Sequence, residues 1–368
     1  ARPAGPPGGR DPILTMTHPA LQTELCELVG VRYPIVQTGM GWVAGPRLVS
    51  ATANAGGLGI LAAATMDYDQ LASAIDEVKA TTEAPFGVNL RADAPDAAAR
   101  IDLLIDKGVK VGSFALAPDQ DLIAKLKDAG VVVIPSIGAK RHAEKVAAWG
   151  VDAVLVQGGE GGGHTGAVPT SLLLPQVVDA VDIPVIAAGG YFDGRGLVAA
   201  LAYGAAGIAM GTRFLMTADA PVPDAVKDVY LSKDVNGTIR TTQVDGVPHR
   251  VLRTELTEHL DAGNPLTSLP RAVRNGLAFK KISGISFADL VREGRAMRKR
   301  QELTWSQVVM AANTPMLLKA AMVDGRPDLG VMSGGQVVGV IDDLPTVDEL
   351  LERIMAEADA VLTRLTST

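Results

Sequence analysis

The sequence predicts an α/β fold, a (β/α)8 TIM barrel with a helical subdomain inserted after the eighth strand. Eight short β-rich runs recur, with starts about 20–30 residues apart, the length of one strand, one helix and two loops. Several of these runs, such as VVVIPSI and PVIAA, are continuously apolar, as expected where both faces of a parallel sheet are buried. A hydrophobic content of 47% against 20% charged residues supplies a sizeable core and excludes wholesale disorder.

The strand candidates are Pro34 to Gln37, Gly59 to Ala62, Phe86 to Leu90, Lys110 to Phe114, Val131 to Ile137, Ala153 to Gln157, Pro184 to Ala187, and Gly207 to Met210. Helix-like segments lie between them, for example Tyr68 to Lys79, Gln120 to Ala129 and Ala139 to Trp149. The competing fold, a doubly wound open sheet, usually carries fewer strands. In a barrel, active sites sit at the C-terminal ends of the strands, so chemistry is expected there.

Residues 1–22 read as a flexible Pro/Gly-rich tail, 23–217 as the barrel, 218–305 as a helical lid or substrate subdomain, and 306–368 as a segment returning to the barrel. The inserted stretch differs in charge. Residues 250–300 hold 11 Lys/Arg against 5 Asp/Glu, in a chain whose formal net charge is −7. This fits either a solvated lid or a basic face that meets an anionic part of a substrate. From Asp342 onward the chain reads as an amphipathic closing helix, with Leu350, Leu351, Ile354 and Met355 along one side.

Composition narrows the function. One cysteine, Cys26, excludes an intramolecular disulfide and a cysteine-cluster metal site. The 4% aromatic content and acidic balance argue against nucleic acid as a partner. No apolar run approaches the roughly 18–20 residues of a membrane-spanning helix. With no export signal and almost no cysteine, a cytoplasmic location is expected. The oligomeric state stays open.

Forty glycines among 368 residues exceed the roughly 7% of average proteins, and many fall at strand ends. Gly189 and Gly190 follow the seventh strand, and Gly211 and Thr212 follow the eighth. In a barrel these adjacent loops form the usual phosphate site, where small residues expose backbone N–H groups. GRGLVA fits a dinucleotide fingerprint only loosely, since its glycines begin several residues past the strand and no acidic residue closes the next one.

The sixth strand ends in QGGEGGGHTG, from Gln157 to Gly166, which lacks the Lys-Ser/Thr ending of a P-loop. It carries one imidazole, His164, on backbone able to pass close to a flat ligand, and histidine is the side chain most readily tuned for proton transfer near neutrality. His18, His142, His249 and His259 fall in the tail, a helix start or the irregular region, where no role is expected. No HExxH-type spacing supports a zinc site. Gln37, Thr38, Gly39 and Met40 end the first strand, and Asn89 and Arg91 the third, placing polar groups at the same rim. The late SGGQVVG, Ser333 to Gly339, reads by itself as a surface turn.

Taken together, QTGMG, NAGGLGIL, FGVNLR, QGGEGGGHTG, IAAGGYFDGRG, MGTRF and GGQVVG resemble the nitronate monooxygenase (2-nitropropane dioxygenase) family, which includes FMN-dependent enoyl-acyl-carrier-protein reductases. The resemblance runs from about Leu25 to Ile341. It implies a TIM barrel that binds FMN noncovalently, with the phosphate on Gly189, Gly190, Gly211 and Thr212. The ring would lie near Gly39, Met40, Asn89, Gln157 and Gly163, and the late turn, through Gly335 and Gln336, would fold back to the flavin. The family's catalytic histidine matches His164.

Three glycines precede His164 where nitronate monooxygenases usually carry an alanine in that loop. That loop, GWVAGPRLVSATANAGGLGIL and TWSQVVMAANTPMLLKA most resemble an actinobacterial subgroup acting on CoA thioesters in the degradation of steroid rings C and D. The implied activity is FMN-dependent dehydrogenation of a CoA thioester of hydroxy-indane-carboxyl type, with His164 as base and FMN as hydride acceptor. The basic segment suits the phosphates of CoA. The alternative is a nitronate monooxygenase oxidising alkyl nitronates with O2. A third reading is a flavin protein fed by NAD(P)H or without turnover.

Overall fold

The computed structural model describes residues 18–115, 118–261 and 315–367. Eight parallel strands close a barrel: β1 (Ile35–Gln37), β2 (Leu58–Ala62), β3 (Phe86–Leu90), β4 (Val111–Phe114), β5 (Val132–Ile137), β6 (Val154–Gln157), β8 (Val185–Ala188) and β9 (Gly207–Met210). β9 returns beside β1 with Ile35 opposite Ile208, which completes the ring. These eight strands coincide with the eight runs expected from the sequence to within one residue at either end.

Alternation along the strands builds two cores. Val36, Ile60, Val111, Ile134, Leu155, Ile186 and Ala209 fill the barrel interior. Their neighbours Ile35, Leu61, Val88, Val133, Val154, Ala187 and Ile208 face outward and pack under the helices. Because both sides are buried, the strands show no polar alternation, which explains the continuous apolar runs.

Helix Glu24–Val29 closes the N-terminal end of the barrel, sending Leu25 and Val29 into the interior core. Gly207 accommodates it: a Cβ there would lie 2.8 Å from Leu25 Cδ2 and 2.5 Å from the Pro34 carbonyl. Packed chain already precedes the boundary expected at residue 23. Leu21 is fully buried, and the His18 N–H donates to Asp359 Oδ1 at 2.9 Å. Residues 1–17, the rest of the expected tail, lie outside the described residues.

The expected closing helix spans Val347–Thr366 and buries Leu350, Leu351, Ile354 and Met355 as its spacing requires. A capping box between Thr346 and Glu349 starts it. It packs on helix Gly194–Ala202, where a Cβ on Gly194 would lie 2.4 Å from the Ile354 carbonyl.

The segment after β9 departs from a purely helical lid. Helix Asp224–Leu231 is followed by a hairpin of β10 (Thr238–Thr241) and β11 (His249–Leu252). β11 also pairs antiparallel with β7 (Gly163–His164), a two-residue strand outside the barrel, to give a three-stranded sheet. TIRT and HRVL are too short to announce strands by periodicity, and the pairing joins residues more than 80 positions apart, here His249 with His164. Residues 262–314, which carry most of the basic segment and the start of TWSQVVMAANTPMLLKA, lie outside the described residues. Among the described residues, no helix is long and apolar enough to cross a membrane.

Candidate active site

The C-terminal mouth of the barrel is where buried strands give way to half-buried polar residues. Thr38, Gly39, Met40, Asn89, Gln157, Gly189 and Gly211 are all partly accessible there, while the strand residues preceding them are buried, apart from half-buried Gln157 before the loop it starts. A Cβ on Gly39 would lie 2.5 Å from Asn89 Cβ, so glycine lets the β1 loop close over β3. A Cβ on Gly211 would lie 3.2 Å from Thr38 Oγ1 and 3.4 Å from Met40 Sδ, which brings the β9 and β1 loops together. The rim residues expected from the sequence therefore converge. Arg91 also reaches the rim, but its guanidinium pairs with Asp93 at 2.8 Å.

One side of the mouth is built from backbone. Gly189 and Gly190 have φ of 99° and 87°, a region that glycine enters without strain. Among the described residues, no hydrogen bond engages the backbone N–H of Gly190, Gly211 or Thr212. The neighbouring helix N-termini are already occupied. Glu357 Oε2 accepts from Gly194 N–H at 2.8 Å, Asp193 Oδ1 accepts from Gly196 N–H at 2.9 Å, and Glu160 accepts from Thr170 N–H at 2.9 Å. The two glycine loops thus keep backbone donors free at the mouth.

Gln37 Oε1, Trp42 Nε1 and Arg213 Nε are buried without a hydrogen-bond partner among the described residues. Gln37 ends β1 and Trp42 lies in the loop after it, whereas the Arg213 guanidinium is held by Asp343 and the Met216 carbonyl. Trp42 is also, among the described residues, the non-glycine residue with positive φ, at 65°. Buried polar atoms are normally satisfied, and strained backbone collects where a ligand is held. These free donors, acceptors and bare glycines fit a flat, phosphorylated, polar group such as FMN.

The opposite side is built from side chains. His164 is 61% exposed, enough for a substrate to reach it, and its Nε2 lies 2.7 Å from Asp245 Oδ2. The same oxygen lies 3.3 Å from Nδ1 of His249, whose Nε2 lies 2.8 Å from Ser333 Oγ. The two imidazole centroids are 4.6 Å apart. Burial alone would raise the Asp245 carboxyl, but hydrogen bonds from His164 and His249 outweigh it and hold the group well below the usual carboxylate range. Burial pushes the His249 imidazole down, against the pull of Asp245.

Three segments fix this row. Gln157 Nε2 donates to the carbonyls of Gly162 and His164 at 3.2 and 3.0 Å, folding the glycine loop back on β6. Arg250 donates to the Gly159 carbonyl at 2.9 Å and to Thr238 Oγ1 at 3.0 Å, tying the hairpin to that loop. Arg250 therefore serves a structural purpose within the basic segment, and Arg253 pairs with Glu258 at 3.4 Å.

The late turn is not a surface turn. Gly335 N–H donates to Thr212 Oγ1 at 3.0 Å, and Gln336 N–H donates to the Glu160 carbonyl at 2.9 Å. A Cβ on Gly162 would lie 2.6 Å from Gly335 N, so bare backbone meets bare backbone. Gly335 and Gln336 thus reach both the β6 and β9 loops, where the resemblance expected them.

Asp245, His249 and Ser333 carry almost no local signal of a role in the sequence, and no role is expected of His249 there. The structure corrects that: register opposite His164 makes His249 part of the site. The signal in the sequence is faint, an Asp and a His flanking a Gly-Val-Pro turn. No zinc-like spacing exists, yet N and O atoms of His164, Asp245 and His249 lie within 4.8 Å of one another, each already hydrogen-bonded within the group.

Similarity to known proteins agrees with this geometry. The nitronate monooxygenase family model matches residues 22–100 and 96–357. The chain is 64% identical, over 92% of its own length and 96% of the relative's, to (3aS,4S,5R,7aS)-5-hydroxy-7a-methyl-1-oxo-octahydro-1H-indene-4-carboxyl-CoA dehydrogenase of Mycobacterium tuberculosis. It is 63% identical to the protein of that name in Rhodococcus jostii, over 92% of this chain and 96% of that one. Among solved structures, FabK from Thermotoga maritima superposes with a TM-score of 0.75 at 32% identity, covering 94% of this chain and 98% of that one. The fold, the order of the glycine loops and the extent of these matches lead to one conclusion: the chain belongs to the nitronate monooxygenase family, a family of flavin enzymes.

Proposed function

We propose that the protein is an FMN-dependent dehydrogenase of a CoA thioester of hydroxy-indane-carboxyl type, in the breakdown of steroid rings C and D. The observation that carries this reading is a reachable imidazole, His164, held by a buried carboxylate at the open end of the barrel. The identity of the substrate class rests on the 64% relative.

Gly189, Gly190, Gly211 and Thr212 would hold the phosphate through backbone N–H groups, and Gly39, Met40, Asn89, Gln157, Gly163, Gly335 and Gln336 would surround the ring. FMN, when bound, supplies the two-electron acceptor for the hydride leaving the substrate's β-carbon. The protein's part is the proton. With Nε2–H donated to Asp245, Nδ1 of His164 carries the lone pair and takes the proton α to the thioester carbonyl. The α C–H electron pair becomes the new α,β double bond. The resulting imidazolium sits beside a carboxylate that stays ionised, which offsets the cost of the charge.

Anaerobic mixing of the yellow holoprotein with the hydroxy-indane-carboxyl-CoA tests the reading: the flavin absorbance should bleach within a turnover. Persistent colour, together with oxygen uptake on propionate 3-nitronate, would replace it with nitronate oxidation, the activity in the name of a Staphylococcus saprophyticus relative 32% identical to this chain.

A further inference from the structure

We propose that His249 is a positioning residue for His164: a second imidazole that shares the Asp245 carboxylate, stays neutral, and thereby reserves that carboxylate's charge for the catalytic base. The inference rests on the reading of His164 as the base and goes beyond it.

With His249 neutral, the hydrogen bonds assign its proton. Asp245 Oδ2 is an acceptor for both imidazoles, so His249 presents Nδ1–H to it at 3.3 Å. Nε2 of His249 is then the lone-pair nitrogen, and Ser333 Oγ–H donates to it at 2.8 Å. His249 is 3% exposed, so water does not compete for these contacts. The groups facing it are His164 from β7, Asp245 from the β10–β11 turn and Ser333 from the late turn; its register partner on β10 is the uncharged Thr241. Asp245 is thus the anion facing it among the described residues.

One carboxylate cannot serve two imidazolium ions equally. When His164 takes a proton from substrate, its new charge lies beside Asp245 and 4.6 Å, centroid to centroid, from His249. A neutral His249 adds a hydrogen bond that steadies Asp245. A protonated His249 would spend the same negative charge and repel the His164 imidazolium. Burial holds His249 in the neutral form, and Ser333 holds it in the tautomer that points N–H at Asp245. The row links the insertion hairpin and the late turn to the base through side-chain hydrogen bonds.

Two measurements test this, one free of turnover. In ¹⁵N-histidine spectra of the holoprotein near neutral pH, His249 should show the neutral Nδ1–H tautomer, and Ser333→Ala should loosen that tautomer. In stopped flow, the acid limb of flavin reduction by the CoA thioester should follow one proton in the wild type, because His249 stays neutral across it. His249→Gln, which donates an amide N–H but takes no proton, should keep a one-proton limb and lower the rate near neutrality by less than about tenfold, whereas His249→Phe, which gives Asp245 no donor, should lower it further. Asp245→Asn should lower the rate at all pH values by about 10²–10⁴-fold. A two-proton limb in the wild type that falls to one in His249→Gln, equal rates in His249→Phe and wild type, or a spectrum in which His249 is an imidazolium near neutrality overturns the proposal. Absence of bleaching in the wild type would instead count against the substrate reading, and the spectra would still decide the role of His249.

Discussion

The two sides of the barrel mouth are made by different means. The β8 and β9 side offers backbone: glycines at φ near 90–100° and N–H groups without partners among the described residues. The β6 side offers side chains: His164, Asp245, His249 and Ser333, drawn from three segments. The first side is local, since each loop follows directly from its strand. The second exists only when a hairpin more than 70 residues downstream and a turn still later dock beside the β6 loop. A backbone site tolerates side-chain change but not loss of conformation; a side-chain site behaves the opposite way.

Substitutions on each side should therefore separate. The largest effect is expected from His164→Ala, which should keep FMN bound and lower substrate-driven flavin reduction by about 10²–10⁴-fold in stopped flow. Equal rates in mutant and wild type would remove His164 from the chemistry. On the backbone side, Gly189→Val forces a branched residue to φ of 99° and brings a Cβ within 3.1 Å of the Gly158 carbonyl. A strain of about 1–3 kcal/mol is expected, read as FMN lost on gel filtration while ¹⁵N spectra of His164 and His249 are retained. Retention of full colour would show that the glycine conformation is not needed for the cofactor.

A smaller effect is expected where the two sides meet. Gly162→Ala pushes a methyl toward Gly335 N, 2.6 Å away, and should lower stability by about 1–3 kcal/mol, seen as a reduced melting temperature. The smallest concerns pH. The folded state lowers the His249 pKa, so below the ordinary value of about 6.5 the unfolded chain binds more protons than the folded one. Stability from this residue is present above that value and lost as pH falls toward the lowered one. Urea unfolding at about pH 7 and about pH 5.5 should show a decline that His249→Gln flattens.

The same contrast explains what the sequence made legible. Runs such as VVVIPSI and PVIAA declare buried parallel strands, and Gly189, Gly190 and Gly211 declare themselves because each follows its strand within a few residues. Gly335 and Gln336 were placed by family resemblance, since nothing local says that the late turn is buried. Asp245 and His249 were missed because their meaning comes from pairing across the chain: His249 stands opposite His164 only after β7, β10 and β11 assemble. Gly194, the first glycine of GRGLVA, serves instead the close approach of the C-terminal helix.

The plug at the barrel's other end sets the traffic. Helix Glu24–Val29 seals the bottom and side chains fill the bore, so among the described residues no route crosses the molecule. Whatever arrives at the mouth leaves by the same door. A CoA thioester and a later electron acceptor must then take turns there, and the slowest visitor to depart sets the pace of the cycle.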